Sequence, residues 1–437
     1  MSRGTVFYQD APVGLIDKLS DGSYQFNYES GARAVSLTLP SSQREHASED
    51  LHPFFDGLIP EGWLLNLAHK NWKIPSNDRM GLLLSACHDC IGAAHVLNAA
   101  HPHPAKARPV AFPTQPRPTY GNAQCLVCLG PLDGEEGHHA KCARKLFGTP
   151  QAPSLDFSLG DLEALALAQL NQGLTLTGVQ PKLSLAPALR GAPNRLTVMG
   201  QDGRFILKPA SASYPEMPAT EHLCMRLARQ TGLTTAECGL ISLSDGTLAY
   251  ITRRFDRQGS VKIQLEDFCQ LSGKPTARKY QGSAEALGKV IDQFSEQPLD
   301  DKLTLFQVLL FSFWTGNADM HLKNFSLWRD PRGQRIRMSP AYDLLSTRLL
   351  LSAKDDPEEM ALPVSGKKHK LQWRDFLALA EAYRLPLRPV MRFREQLLDD
   401  FFAALDLVDR SFLSGERKEE FLTILRERSE RLSKNRA

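Results

Sequence analysis

The segment Gly316-Asn-Ala-Asp-Met-His-Leu-Lys-Asn-Phe325 constrains this chain more than any other. It is polar, and it lies between two apolar stretches. Before it, Leu303–Trp314 is broken only by Thr304, Gln307 and Ser312 and reads as a buried helix. After it, Phe325–Trp328 reads as a strand. A loop of this composition between two buried elements has to present its polar side chains to a cleft. Asp319 stands five residues before Asn324, so a carboxylate and an amide share one short loop.

Protein kinase catalytic loops use the same offset. There the Asp accepts a hydrogen bond from the attacking hydroxyl, and the Asn reaches a magnesium ion held against the phosphates. A second carboxylate is then needed for the cation. Asp343, in Ser339-Pro-Ala-Tyr-Asp-Leu344, follows the strand-like Gln334–Met338 and stands where a kinase hairpin carries that Asp. Mg²⁺ takes hard oxygen ligands and keeps several waters, so one carboxylate and one amide suit it. A phosphate-binding lysine belongs upstream on a strand. Lys208 ends Phe205-Ile-Leu-Lys208, and Pro209 stops the strand. Glu221, in the helical stretch Ala219–Gln230, is a candidate partner for it. Singly, an Asp–Asn pair caps loops and a strand-end lysine is solvated; the order Lys–Asp–Asn–Asp points to phosphoryl transfer from a nucleotide. Gly173 and Gly178 have P-loop spacing, but Val179 holds the place of the Walker lysine, which excludes that motif.

The 437 residues allow several domains. Residues 1–104 read as a small α+β domain, with strands at Tyr24–Tyr28, Ala34–Leu39 and Ile91–Leu97 and helices near Pro60–His69 and Arg79–Ala86. Residues 105–120 are a proline-rich, extended linker. Residues 121–150 form a small cysteine-rich unit. Residues 151–437 read as a two-lobed domain, divided near residue 258. Its first lobe contains a hairpin of Asn194–Val198 and Arg204–Lys208 around Gln201-Asp-Gly203; its second is largely helical, including Lys302–Trp314, Arg392–Leu407 and Glu416–Lys434.

A formal charge of +3, from 52 basic and 49 acidic residues, excludes non-specific nucleic-acid binding by the whole chain. No apolar run approaches a membrane span. Arg3, Asp10, Asp17 and Lys18 break the start before a leader can form, so a cytoplasmic location is expected. Two of the cysteine pairs are CxxC. Cys125-Leu-Val-Cys128, followed by His138, His139 and Cys142, offers four ligands for tetrahedral Zn²⁺, all from protein and hence structural. Cys87-His-Asp-Cys90 reads as ordinary buried cysteine. Arg117, Lys141, Arg144 and Lys145 near the first pair read as a solvated face.

The residues resemble the HipA family of bacterial kinases over nearly the whole chain. The resemblance is carried by Phe54-Phe-Asp-Gly-Leu-Ile-Pro60, Asp89-Cys-Ile-Gly-Ala93, Thr177-Gly-Val-Gln-Pro-Lys-Leu183 and Ile206-Leu-Lys208, and then by Arg254-Phe-Asp-Arg257, Leu265-Glu-Asp-Phe-Cys-Gln270, Asp319–Asn324 and Tyr342-Asp343. It implies an α+β, protein-kinase-like two-lobed fold and serine/threonine kinase activity with ATP and Mg²⁺. Asp319 would be the catalytic aspartate, Asn324 and Asp343 the Mg²⁺ ligands, and Lys208 the phosphate contact. Gln180 and Lys182 would lie in the phosphate-loop region, Arg253 to Phe255 at the hinge beside adenine, and His321 and Lys323 in support of the phosphate site. Thr175 and Thr177 stand where the family carries serines that autophosphorylate. The resemblance further implies His139 rather than His138 as the zinc ligand. Expected partners are a HipB-like DNA-binding antitoxin, with DNA reached only through it, and a translation component such as an aminoacyl-tRNA synthetase as substrate, its phosphorylation arresting growth. The alternative is a nucleotide-bound scaffold acting as co-repressor. The first domain resembles the subdomain that split systems encode as a separate protein, HipS, beside a shorter kinase, HipT.

Overall fold

The computed structural model describes residues 2–100, 123–132, 137–171, 176, 180–187, 195–198, 203–352 and 354–434. The proline-rich linker, Gly173, Gly178, Thr175 and Thr177 lie outside these residues.

The N-terminal domain is built on an antiparallel sheet of β1 (Ser2–Tyr8), β2 (Ala11–Lys18), β3 (Tyr24–Tyr28), β4 (Glu45–Ser48) and, beyond three helices, β5 (Ala94–Asn98), in the order β4-β3-β2-β1-β5. In β3 the alternation of apolar and polar residues is realised directly: Tyr24, Phe26 and Tyr28 are buried, and Gln25 and Asn27 face the other side. The helices are α1 (Pro53–Asp56), α2 (Gly62–Trp72) and α3 (Arg79–Ala86). Asp78 caps α3 by accepting from the amide of Gly81 at 3.1 Å. Ala34–Leu39, expected as a strand, is instead a turn with one bridge between Ser36 and Leu39. The Tyr28 hydroxyl accounts for this. It donates to the Leu39 carbonyl at 2.6 Å and accepts from the Val35 amide at 3.0 Å, which folds the segment back on itself.

Next come α4 (Ala140–Phe147) and α5 (Leu162–Asn171), then β6 (Leu183–Pro187), β7 (Leu196–Val198), β8 (Phe205–Lys208), α6 (Met217–Gln230), β9 (Cys238–Ser242) and β10 (Leu248–Arg253). The sheet order is β7-β6-β8-β10-β9. The expected hairpin between the strands around Leu196 and Phe205 therefore does not form, because β6 lies between them. Leu185 pairs with Val198 on one side and Phe205 on the other. Leu183 to Ala186 are all buried, as a central strand requires. Gln169 bonds both the carbonyl (2.6 Å) and the amide (3.2 Å) of Ser184 and so satisfies its backbone, while its buried hydroxyl has no hydrogen-bond partner among the described residues.

The remainder holds a two-strand ribbon, β11 (Arg257–Gln258) with β12 (Val261–Lys262), then β13 (Leu265–Asp267), α7 (Phe268–Leu271), α8 (Ala284–Phe294) and α9 (Pro298–Thr315). The hairpin of β14 (Ser326–Arg329) and β15 (Ile336–Met338) joins β13. The chain ends in α10 (Trp373–Ala382), α11 (Leu387–Asp409) and α12 (Gly415–Ser433). The second half of α9, from Val308 to Trp314, is almost entirely apolar, which fits its place in the core of the helical lobe: Leu305, Leu309, Phe313 and Trp314 are wholly buried. It stops at Gly316, whose φ of +72° is left-handed and whose Cβ, if present, would sit 3.0 Å from that of Arg348. That turn sends the chain into the Asp319 segment.

Buried polar links seat the N-terminal domain on the rest. Asp89 pairs with Arg257 (2.9 Å) and Lys262 (2.8 Å), and the Gly92 amide donates to Asp256 (2.9 Å), itself paired with Arg254. Ser36 and Leu37 donate to Glu266, and the Thr276 amide to Asp56.

Candidate active site

A cleft of about 750 Å³ opens between the β6–β10 sheet and the helical lobe. The N-terminal domain forms one wall through Gly57, Leu58, Glu61 and Ile91.

Lys208 enters from the end of β8. Its Nζ lies 2.7 Å from Oε1 of Glu221 on α6 and also contacts Asp343. Burial favours the neutral amine, but Asp343 and Glu221 outweigh it and raise the Lys208 pKa. Burial would raise Asp343 as well; Lys208 and Lys182 hold it down at about 2. Burial wins at Glu221 and pushes its carboxyl up to about 7. Lys182 is buried, and burial together with the Lys208 charge brings it down to about 8. Asp343 has a φ of +59°, a left-handed conformation that Asp tolerates better than most residues and that aims its carboxylate into the cleft.

Asp319, His321, Lys323 and Asn324 follow α9. The Asn324 side-chain amide donates to the Asp319 carbonyl at 2.9 Å, and the Asn317 carbonyl oxygen of the side chain accepts from the Asp319 amide at 3.1 Å. The loop is thus closed on itself, with the Asn324 Oδ1 left as an acceptor. His321 is kept neutral chiefly by burial, and its Nδ1 has no hydrogen-bond partner among the described residues. The Gln180 Nε2 is also buried on the cleft wall without one. Lys323 is turned away from the cleft mouth, 3.3 Å from Glu61 and 3.4 Å from Asp267.

Arg253 and Phe255 line the far end. Arg253 is exposed and donates to the Lys145 carbonyl at 3.4 Å; Phe255 packs edge-on against Trp328. Lys208, Asp319, Asn324, Asp343, Gln180, Lys182, His321, Lys323, Arg253 and Phe255 therefore share one cleft. Sequence reasoning missed three lining residues, Glu61, Lys279 and Tyr280. The Tyr280 hydroxyl donates to Oδ1 of Asp319 at 2.6 Å, and Lys279 pairs with Glu61 at 2.9 Å. Glu61 directly follows the Phe54–Pro60 motif, which is the one hint that it matters.

The cleft's polar groups fit a nucleotide with a divalent cation. A carboxylate held ionised and an amide oxygen supply hard donors, and the unpartnered Gln180 amide on the same wall is a spare donor for an anionic ligand.

A second cluster lies beside the edge strand β9, whose Leu240 amide donates to the Leu126 carbonyl at 2.7 Å. Ligand atoms of Cys125, Cys128, His139 and Cys142 all lie within 4.8 Å of one another. His139 turns Nδ1 towards the sulfurs, 3.3 Å from Cys128, while its Nε2 meets the Pro131 carbonyl at 2.8 Å. That outer bond fixes the ring and the tautomer a metal ligand needs. The amides of Gly130 and His139 donate to the Cys128 and Cys125 sulfurs. The set fits Zn²⁺. His138 faces elsewhere, onto the Leu240 carbonyl. Cys87 and Cys90 are buried and lie outside this group.

These two lobes with a cleft between them define an α+β, protein-kinase-like fold. Residues 174–405 match the HipA-like C-terminal domain and residues 4–97 the HipA N-terminal domain, and the chain belongs to the HipA family. It is 33% identical over 358 residues to Y4mE of Sinorhizobium fredii, spanning 78% of this chain and 76% of that protein. It is 26% identical over 211 residues to the serine/threonine-protein kinase toxin HipA of Shewanella oneidensis, 44% of this chain and 46% of that one. The solved HipA of Shewanella oneidensis MR-1, in complex with HipB and its operator DNA, shares the fold at a TM-score of 0.71 and 18% identity, over 98% of this chain and 97% of that one. No helix among the described residues is long and apolar enough to cross a membrane.

Proposed function

We propose that the chain is an ATP- and Mg²⁺-dependent serine/threonine protein kinase and the toxin of a toxin–antitoxin pair. One observation carries this reading: Lys208, braced by Glu221 and Asp343, shares a cleft with the Asp319–Asn324 loop. In this reading Lys208 holds the donor phosphates, and Gln180 and Lys182 add contacts from the segment that leads into β6. Asn324 and Asp343 would hold Mg²⁺, which would neutralise phosphate charge when bound. Asp319 accepts the proton of a substrate hydroxyl as its oxygen bonds to the γ-phosphorus and ADP leaves. Arg253 to Phe255 border the adenine. Cys125, Cys128, His139 and Cys142 hold a structural Zn²⁺.

The likeness in fold to a HipA that binds HipB on operator DNA supports a DNA-binding antitoxin as partner, with DNA reached through it. The substrate we assign is a hydroxyl on a translation component such as an aminoacyl-tRNA synthetase. Thr175 and Thr177 are the assigned autophosphorylation sites; phosphate there adds up to about two negative charges and, in this reading, disfavours ATP.

The test is intact mass spectrometry of phosphatase-treated protein incubated with Mg-ATP, beside Asp319→Asn. One added phosphate in the wild type alone, mapped to Thr175 or Thr177, is the expected result. No phosphate in either protein, with ATP still bound, overturns the kinase reading in favour of a nucleotide-bound co-repressor.

A further inference from the structure

The cleft contains one side chain that the N-terminal domain sends across the seam and that the mechanism above does not use. Glu61 sits at the start of α2 and is only 7% exposed. Its Oε2 lies 2.9 Å from Lys279 Nζ and its Oε1 3.3 Å from Lys323 Nζ. We propose that Glu61 is a positioning residue for the Asp319 loop, and that Lys279 and Tyr280 carry its hold to the Asp319 carboxylate. The proposal rests on the kinase reading of this cleft.

The geometry is a strut. Glu61 fixes the Lys279 side chain, and the Lys279 carbonyl accepts from the Leu322 amide at 3.1 Å, inside the Asp319 loop. The next residue, Tyr280, donates its hydroxyl to Asp319 Oδ1 at 2.6 Å and sets its ring edge-on to His321, centroids 5.0 Å apart. No other described residue donates to that carboxylate. A carboxylate held at one oxygen cannot turn about its Cβ–Cγ bond, so its second oxygen keeps one direction for a substrate hydroxyl. Pre-set orientation of this kind is where much of a transfer rate comes from.

Tyr280 itself is 47% exposed, so few neighbours fix it; the bonded Lys279 carbonyl beside it and the edge contact with His321 set its place. Burial and the neighbouring Asp319 raise its hydroxyl pKa, so it remains a donor. Glu61 also bears on the loop's other end. Lys323 lies between His321 and Asn324, and its ammonium meets Glu61, Asp267 and the Gly57 carbonyl. With Glu61 neutralised, Lys279 and Lys323 repel in a buried site, and Lys323 keeps Asp267 as its counter-charge beside the Gly57 carbonyl. Burial raises the Glu61 pKa, but Lys323 and Lys279 outweigh it, so the carboxylate is charged at neutral pH.

The experiment uses the full chain as wild type, Glu61→Gln, Tyr280→Phe and the double variant. Phosphatase-treated protein is given saturating Mg-ATP, and the first-order rate of self-phosphorylation is measured with the ATP concentration for half-maximal rate. Each single substitution is expected to slow the rate at least tenfold with half-saturation unchanged within twofold. The double variant is expected to be no slower than the slower single one, because the two groups act in series. Tyr280→Phe removes one hydroxyl from a half-exposed ring and cannot unfold the chain, so it stands alone if Glu61→Gln does not fold. A Tyr280→Phe rate equal to wild type, or losses that multiply in the double variant, would refute the strut. A wild type that binds Mg-ATP and transfers nothing refutes instead the kinase reading beneath it.

Discussion

Lys208 Nζ and Glu221 Oε1 are 2.7 Å apart, an ion pair that ties the last residue of β8 to the buried face of α6. Asp343 approaches the same ammonium from the hairpin beyond the Asp319 loop. One cation thus joins three elements of the cleft.

Removing that cation leaves two buried carboxylates facing each other. Lys208→Met is expected to abolish phosphoryl transfer and to cost about 3–5 kcal/mol of stability at neutral pH. Glu221, already pushed up to about 7 by burial, then goes higher. A carboxyl with a raised folded pKa binds its proton more tightly in the folded chain, so the variant weakens as pH rises from 5 to 8. Urea unfolding midpoints at both pH values check this; a loss independent of pH would show that the two carboxylates are not coupled through Lys208.

The seam of the N-terminal domain should fail in acid. Burial alone would raise Asp89, Asp256 and Glu61, but Arg257 with Lys262, Arg254 with Arg257, and Lys323 with Lys279 hold all three below their ordinary values. Groups with lowered folded pKa contribute fully above their unfolded pKa, from 3.8 for the aspartates to 4.5 for Glu61. That stability is lost as pH falls through the folded values. Thermal midpoints are expected to hold down to about pH 5 and drop steeply below about pH 4. Arg257→Gln should move the drop to higher pH; an unmoved curve would exclude this seam as its source.

The cysteine cluster should hold one zinc per chain and transmit its loss. Leu240 donates its amide to the Leu126 carbonyl at 2.7 Å, and His222, next to Glu221, meets the Val127 carbonyl at 3.0 Å. At Gly239 a Cβ would lie 2.8 Å from Val127, so the unit presses directly on β9. Cys142→Ser is expected to lose the metal and about 2.7 kcal/mol of stability, the value for a site filled at 100 times its Kd. Elemental analysis with thermal unfolding measures both, and full zinc content in the variant would exclude Cys142 as a ligand.

The elements legible in the sequence were those whose signal is local. α9, α11 and α12 are long and carry helical periodicity, and α6 spans the expected Ala219–Gln230 with two residues more. Among the site residues, Lys208, Asp319, Asn324 and Asp343 stood out because their spacing is set by backbone geometry within one strand, one loop and one hairpin. The strand between β7 and β8 did not, because pairing is chosen by burial and not by adjacency along the chain. The turn at Ala34–Leu39 hid behind alternating residues whose register Tyr28 overrides through two hydrogen bonds.

The sequence alone singled out the candidate groups for phosphate and cation, which the structure gathers in one cleft, and the cysteines and histidines from which one tight cluster forms. Those follow from residue type at short separation, where few chain conformations are possible. Only the tertiary structure decided what braces them. Glu61 reaches Lys279 across 218 residues, and Tyr280 reaches Asp319 across 39. No spacing rule connects such positions, since they meet only after the hydrophobic cores have packed and the buried charges have found partners that offset their lost hydration.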